Sequence, residues 1–271
     1  MTVETFPFPA RAHRPTWPLT VVGAADLTPR MRRVSLVGES LTGFAYRPGQ
    51  DLALMLPDAR GQVARRHYTI RRFDPVEQRL EIDVVLHGQS PGAEWARGAR
   101  IGDPLIAQGP RGRTVVSGRA DWHLFTGDET ALPAIFAMVE SLPAGATAFA
   151  ILEVEGAEEE QALETDARLD LTWIHRNGPP GPSSPALIEA LAAFQLPAGA
   201  GHAYVIGETS TVRSQRQGLI ARGFPKHQIA AEGYWRPGRT GGHDHVDLPD
   251  FLTPRDARGW RGGRMRRDRH G

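Results

Sequence analysis

The hydrophobic rhythm of the chain changes near its middle. Over roughly the first hundred residues, short apolar stretches alternate with polar positions. In Leu80–Leu86, Leu80, Ile82 and Val84 alternate with Glu81 and Asp83, the pattern of a half-buried strand. Comparable runs at Leu19–Val22, Met31–Val37, Asp51–Leu56, Arg66–Phe73 and Pro104–Gln108 predict further strands, with Asp74-Pro75 as a turn. A short helix is expected at Gly92–Ala96. Short strands joined by Gly/Pro turns predict an antiparallel barrel or sandwich.

From about Arg119 the pattern differs. Trp122–Thr126, Ala148–Val154, Leu171–His175 and Ala203–Ile206 are continuous apolar runs, as in buried strands. Helical stretches fall between them, near Leu132–Leu142, at Ser183–Phe194 with Pro185 near its start, and near Thr211–Arg222. Ile229–Trp235 is the last expected strand. Strands alternating with helices predict a doubly wound parallel sheet. The expected organisation is a β-barrel over residues 15–118, an α/β unit over 119–240, and a flexible basic tail over 241–271.

Composition narrows the function. The 271 residues carry 32 basic and 31 acidic side chains, a net charge of +1, so nothing argues for nucleic-acid binding. Lys226 is the only lysine, so a single arginine is a weak signal here. Cysteine is absent, which excludes disulfides, thiolate metal sites and cysteine nucleophiles. No apolar run is long enough to span a membrane. Pro7, Pro9, Pro15 and Pro18 break up the start of the chain, which lacks the apolar segment of a secretory signal. A cytoplasmic monomer is expected.

The segment with most chemistry is Arg65-Arg66-His67-Tyr68-Thr69-Ile70. Arginine offers a planar fork for phosphate oxygens. A tyrosine two residues on can lie against a flat ring, and a threonine hydroxyl can reach a ring nitrogen or carbonyl. The set resembles the Arg-x-Tyr-Ser/Thr signature of ferredoxin-reductase-like flavoproteins. The next strand ends in His87-Gly88, followed by Ser90-Pro91-Gly92-Ala93 at a helix start, where backbone N–H groups suit a pyrophosphate. In the second half Gly127 follows a strand, as a nucleotide-binding turn should, although G-x-G-x-x-G is absent. Glu153 and Glu155 end another strand, where a carboxylate suits a free ribose 2′-hydroxyl and favours NADH. Arg176 could instead meet a phosphate. His243-Asp244-His245 has no third ligand at settled spacing, so no metal site is predicted.

Taken in order, RRHYTIRRFDP, DVVLHG, the helix with Trp95, GPRG, TGDETALPAI, VIGE and GYWRPGRT resemble the siderophore-interacting protein family. The resemblance implies an FAD-dependent reductase that passes electrons from NADH or NADPH to ferric siderophores and releases Fe(II). It places Arg66, His67, Tyr68 and Thr69 at the flavin, and His87, Gly88, Pro91, Gly92, Ala93 and Trp95 near its diphosphate. The family reads Gly-Pro-Ala-Ser where this chain has Ser90-Pro91-Gly92-Ala93, so a serine hydroxyl is lost. Gly127, Asp128, Glu129, Thr130, Glu153 and Glu208 fall to the nucleotide, with Tyr234 and Trp235 between flavin and nicotinamide. Arg47, Arg65, Arg71, Arg236 and Arg239 are candidates for an arginine-lined mouth facing an anionic siderophore. Two alternatives stay open: a ferredoxin- or flavodoxin-type reductase, with ferredoxin as a possible partner, and a non-enzymatic siderophore-binding module.

Overall fold

The computed structural model describes residues 15–58, 60–238 and 246–247. The first half holds β1 (Thr16–Thr28), β2 (Met31–Val37), β3 (Asp51–Pro57), β4 (Val63–Thr69), β5 (Arg72–Asp74), β6 (Arg79–Val85), helix α1 (Pro91–Gly98) and β7 (Pro104–Arg111). All pairings are antiparallel, in the order β4-β3-β7-β1-β2-β6-β5. The two ends of that order, β4 and β5, are consecutive in the chain. The backbone switches partners there: the Ile70 N–H donates to Gln50 O and the Arg71 N–H to Glu81 O, each at 2.9 Å. That switch curls the sheet into the expected barrel and splits the single strand expected over Arg66–Phe73. Alternate apolar residues fill the inside, including Val34, Leu36, Leu52, Leu54, Leu80 and Ile82, all fully buried.

The second half holds β8 (Trp122–Gly127), α2 (Leu132–Glu140), β9 (Thr147–Val154), β10 (Arg168–His175), α3 (Pro185–Ala193), β11 (Gly201–Glu208), α4 (Thr209–Ala221) and β12 (Ile229–Trp235). These strands are parallel, in the order β10-β9-β8-β11-β12. Chain order therefore reverses between β8 and β11, and α2 covers one face while α3 and α4 cover the other. The sheet closes with β13 (Val246–Asp247), antiparallel to β12 at Glu232–Gly233. Those two residues fall within the expected tail; the rest of 241–271, with His243-Asp244-His245, lies outside the described residues.

The halves are bolted together. Met31 and Val85 of the barrel pack into the apolar cluster under α2. Arg71 reaches across to Glu140 at the end of α2, with Nη1 donating to Oε2 at 2.7 Å. Arg30 pairs with Glu155 at 2.7 Å, Thr28 bonds Glu159, and Thr114 donates to buried Glu232 at 2.7 Å. In each case a barrel or linker residue meets the parallel-sheet half.

Candidate functional site

On β4 successive side chains face opposite ways, so Arg66 and Tyr68 share one side. Tyr68 reaches the start of α1: a Cβ built on Gly92 would fall 1.6 Å from the Tyr68 hydroxyl oxygen. Only glycine lets the ring lie against that backbone. Burial pushes the Tyr68 hydroxyl up to about 12, opposed by the neighbouring Arg66 cation. The Arg66 guanidinium donates to the Arg65 carbonyl at 2.9 Å and pairs with no carboxylate among the described residues. Ser90 caps α1, its Oγ accepting from the Ala93 N–H at 3.3 Å. Arg97 donates to the carbonyls of Gly88 (2.9 Å) and Leu86 (3.1 Å), fixing the turn in which Gly88 takes a φ of 55°. Burial lowers the pKa of His87; the Glu129 charge opposes this and Arg97 adds to it.

Three expected site residues are engaged elsewhere. His67 turns away from Tyr68 and bonds Asp51 at 2.9 Å, where Arg111 also donates at 2.7 Å. Trp95 packs on the apolar interior of the barrel. Arg71 is only 6% exposed, held between Glu140 and Asp83, so it braces the two halves instead of lining a mouth. Of the other arginines, Arg47 and Arg65 are exposed, Arg236 is half-buried, and Arg239 lies outside the described residues.

The other wall is the carboxyl edge of the parallel sheet. Gly127 ends β8 where a Cβ would sit 2.5 Å from both Ala131 and the Ile206 carbonyl. Asp128 follows. Its Oδ1 accepts from the Thr130 backbone N–H at 2.9 Å and from the Thr130 hydroxyl. Its Oδ2 accepts from the Glu208 N–H at 2.7 Å and from the Trp235 indole at 2.9 Å. Burial, and then the Glu129 charge, push its carboxyl up to about 6. Glu208 caps α4 through the Thr211 N–H at 2.8 Å, while its other oxygen is buried with no partner. Arg176 grips Glu129 through two bonds at 2.8 and 3.0 Å and Glu153 through one at 3.0 Å.

The Ser184 hydroxyl completes the hold on Glu153. Glu155 pairs with Arg30. Both carboxylates behind the expectation of NADH are therefore already engaged within the protein. Ser184 and Gly207 are contributors that residue typing missed. Gly207 could have been found, because an isolated glycine at a strand end marks a close backbone approach. A Cβ there would lie 2.6 Å from Asp128 Oδ2.

The two walls meet at the end of β12. Register slips by one between Gly207–Gly233 and Glu208–Trp235, so Tyr234 is a bulge residue. Tyr234 hydrogen-bonds Thr69 of β4, and Trp235 turns to Asp128. One strand end thus sends an aromatic to each wall.

Residues 59–114 match the siderophore-interacting FAD-binding domain, and residues 120–238 match the siderophore-interacting protein family. Ferric vibriobactin reductase ViuB of Vibrio cholerae is 32% identical over 234 residues, covering 76% of this chain and 84% of that protein. The chain belongs to the siderophore-interacting protein family. A siderophore utilization protein from T. fusca has a solved structure with a TM-score of 0.79 and 34% identity, covering 90% of this chain and 99% of that one. The NADPH-dependent ferric-chelate reductase of Escherichia coli is 25% identical, covering 80% of this chain and 91% of that protein.

The residues present fit FAD. A guanidinium with no carboxylate partner among the described residues, a glycine-floored helix start and the Tyr68 ring stand on one wall. The Nε of Arg236 is buried without a partner one residue past the shared strand end.

Proposed function

We propose that the protein is an FAD-dependent NAD(P)H:ferric-siderophore oxidoreductase that releases Fe(II). The observation that carries this reading is the Tyr234–Thr69 hydrogen bond. It brings the last strand of the nucleotide sheet to the strand bearing Arg66, Tyr68 and Thr69. When bound, FAD accepts two electrons from a nicotinamide and releases them singly, which suits a one-electron ferric substrate. Arg66 and the start of α1 hold the phosphate side, and Tyr68 and Thr69 orient the ring. Gly127 and the turn after it, with Glu208 and Trp235, shape the donor crevice at the point where strand order reverses. Exposed Arg47 and Arg65, with Arg236, attract an anionic ferric chelate. Reduction frees the metal because hard oxygen donors hold Fe(II) far less tightly than Fe(III), so the ligand needs no cleavage.

No helix among the described residues is long and apolar enough to cross a membrane. We place the reaction in the cytoplasm, where nicotinamide donors are held, with the chain acting as a monomer.

The test is anaerobic. Flavin-loaded protein, NADH or NADPH, a ferric siderophore and a ferrous trap are combined, and trapped iron is followed by absorbance. Iron should be trapped only when donor and flavin are both present, with the siderophore mass unchanged. Flavin reduction without trapped iron would favour a ferredoxin- or flavodoxin-type reductase, and no flavin reduction would favour a binding module.

A further inference from the structure

Trp235 is fixed at two points. Its carbonyl accepts from the Thr209 hydroxyl at 2.9 Å, and its indole N–H donates to Asp128 at 2.9 Å. The first bond is made by the backbone, the second by the ring. The Asp128 carboxylate can hold the ring because it is itself immobilised, 5% exposed, and pressed against the Cα of Gly207. Gly207 adopts a φ of 134°, a conformation that favours glycine, so the close approach is built into the backbone of β11. Trp235 and Asp128 line the same small cleft as Glu208, Glu153 and Arg176. Among the described residues lining that cleft, Trp235 is the aromatic one.

We propose that Asp128 is a positioning residue that sets the pose of Trp235 and, through it, the affinity for the nicotinamide dinucleotide. This rests on the donor crevice assigned above. Among the described residues the hydrogen-bond partners of Asp128 all lie in the parallel-sheet half, so its removal acts on donor binding and not on flavin retention. Its other bonds, to Thr130 and Glu208, shape the loop after β8 and the start of α4. Those bonds survive when Trp235 alone is changed, so the two residues can be separated experimentally.

The experiment is a double-mutant cycle on the flavin-loaded protein: wild type, Asp128→Asn, Trp235→Phe and the double variant. Dissociation constants for NAD⁺ and NADP⁺ come from titration calorimetry, limiting flavin-reduction rates from stopped flow, and flavin content from absorbance. Each single variant should weaken binding of the preferred dinucleotide about tenfold, the scale of one hydrogen bond to a charged group. The double variant should be no weaker than the worse single, because Trp235→Phe removes the same indole contact that Asp128→Asn weakens by replacing a charged acceptor with a neutral one. Flavin content should not change, and the limiting rate should move by less than about threefold while the dissociation constant takes the loss.

Additive effects would overturn the inference, since Asp128 would then act independently of Trp235. Should Asp128→Asn fail to fold, Trp235→Phe decides: binding as tight as wild type overturns the inference. If wild type binds neither dinucleotide yet holds flavin, the donor reading itself fails and takes this inference with it.

Discussion

On the barrel wall of the cleft, polar groups are left open for a ligand, whereas on the sheet wall most are already bonded to one another. Arg66 pairs with no carboxylate among the described residues, and a side chain at Gly88 would meet nothing within 4 Å, while Tyr68 covers Gly92. Across the cleft, Arg176, Glu129, Glu153 and Ser184 form a closed network, and Asp128 accepts four hydrogen bonds. An open wall can hold a cofactor permanently. A self-satisfied wall must exchange internal bonds for ligand bonds, which suits a donor that enters and leaves every turnover.

The comparison is broken most severely at Gly92. Gly92→Val would drive a side chain into the Tyr68 hydroxyl, which a Cβ already meets at 1.6 Å. The variant should purify without flavin, read from the visible spectrum, while a protein still yellow to full occupancy would show that this wall is not the cofactor site.

Arg71→Ala comes next. It removes the paired bonds to Glu140, which keeps Arg72 at 3.6 Å, while Asp83 keeps Arg33 at 2.7 Å, so stability should fall by about 1.5–3 kcal/mol. Urea unfolding should register this as a lower midpoint, and unchanged stability would make the bridge ornamental.

Arg66→Ala should then weaken FAD by about 10- to 150-fold, the worth of about 1.5–3 kcal/mol for a charge-assisted contact, with little change in folding. Arg176→Ala, on the self-paired wall, should leave flavin content untouched.

The smallest effect concerns acid. Burial, then the charges of His123 and His227, lower His202 from 6.5 to about 4. Below 6.5 the unfolded chain takes up a proton that the folded chain refuses, so this contribution is lost as pH falls from 6.5 towards 4. Asp128 works in the opposite sense, since its raised carboxyl binds a proton sooner in the folded state. His202→Gln isolates the first term. Its stability relative to wild type should rise by about 1–2 kcal/mol between pH 7 and pH 4.5, allowing for solvent screening. A constant difference across that range would refute the assignment.

The same contrast explains what the sequence revealed. Both architectures follow from apolar periodicity, which survives tertiary context because it reports burial directly. The wall we propose for the flavin is readable from residue type, because Arg66, Tyr68 and Gly92 would act through intrinsic properties: charge, ring and absence of a side chain. The sheet wall is not. Glu153 looks like a ribose ligand until Ser184 and Arg176 are seen to hold it, and those partners lie 31 and 23 residues away. Arg71 has the chemistry of a substrate ligand and the burial of a strut. Charge type is local information; whether a charge is already neutralised is not. The one-residue slip that separates Tyr234 from Trp235 likewise depends on β11, and nothing within β12 announces it.

The bridge from Arg71 to Glu140 has a kinetic consequence. A shielded ion pair lies beyond the reach of mobile counterions, whereas exposed Arg47 and Arg65 stand within a Debye length of bulk solvent. Added salt should therefore slow second-order capture of an anionic ferric chelate, yet leave the limiting rate of flavin reduction at saturating donor unaltered. The two halves that would hold donor and flavin are joined by a contact that ionic strength does not tune.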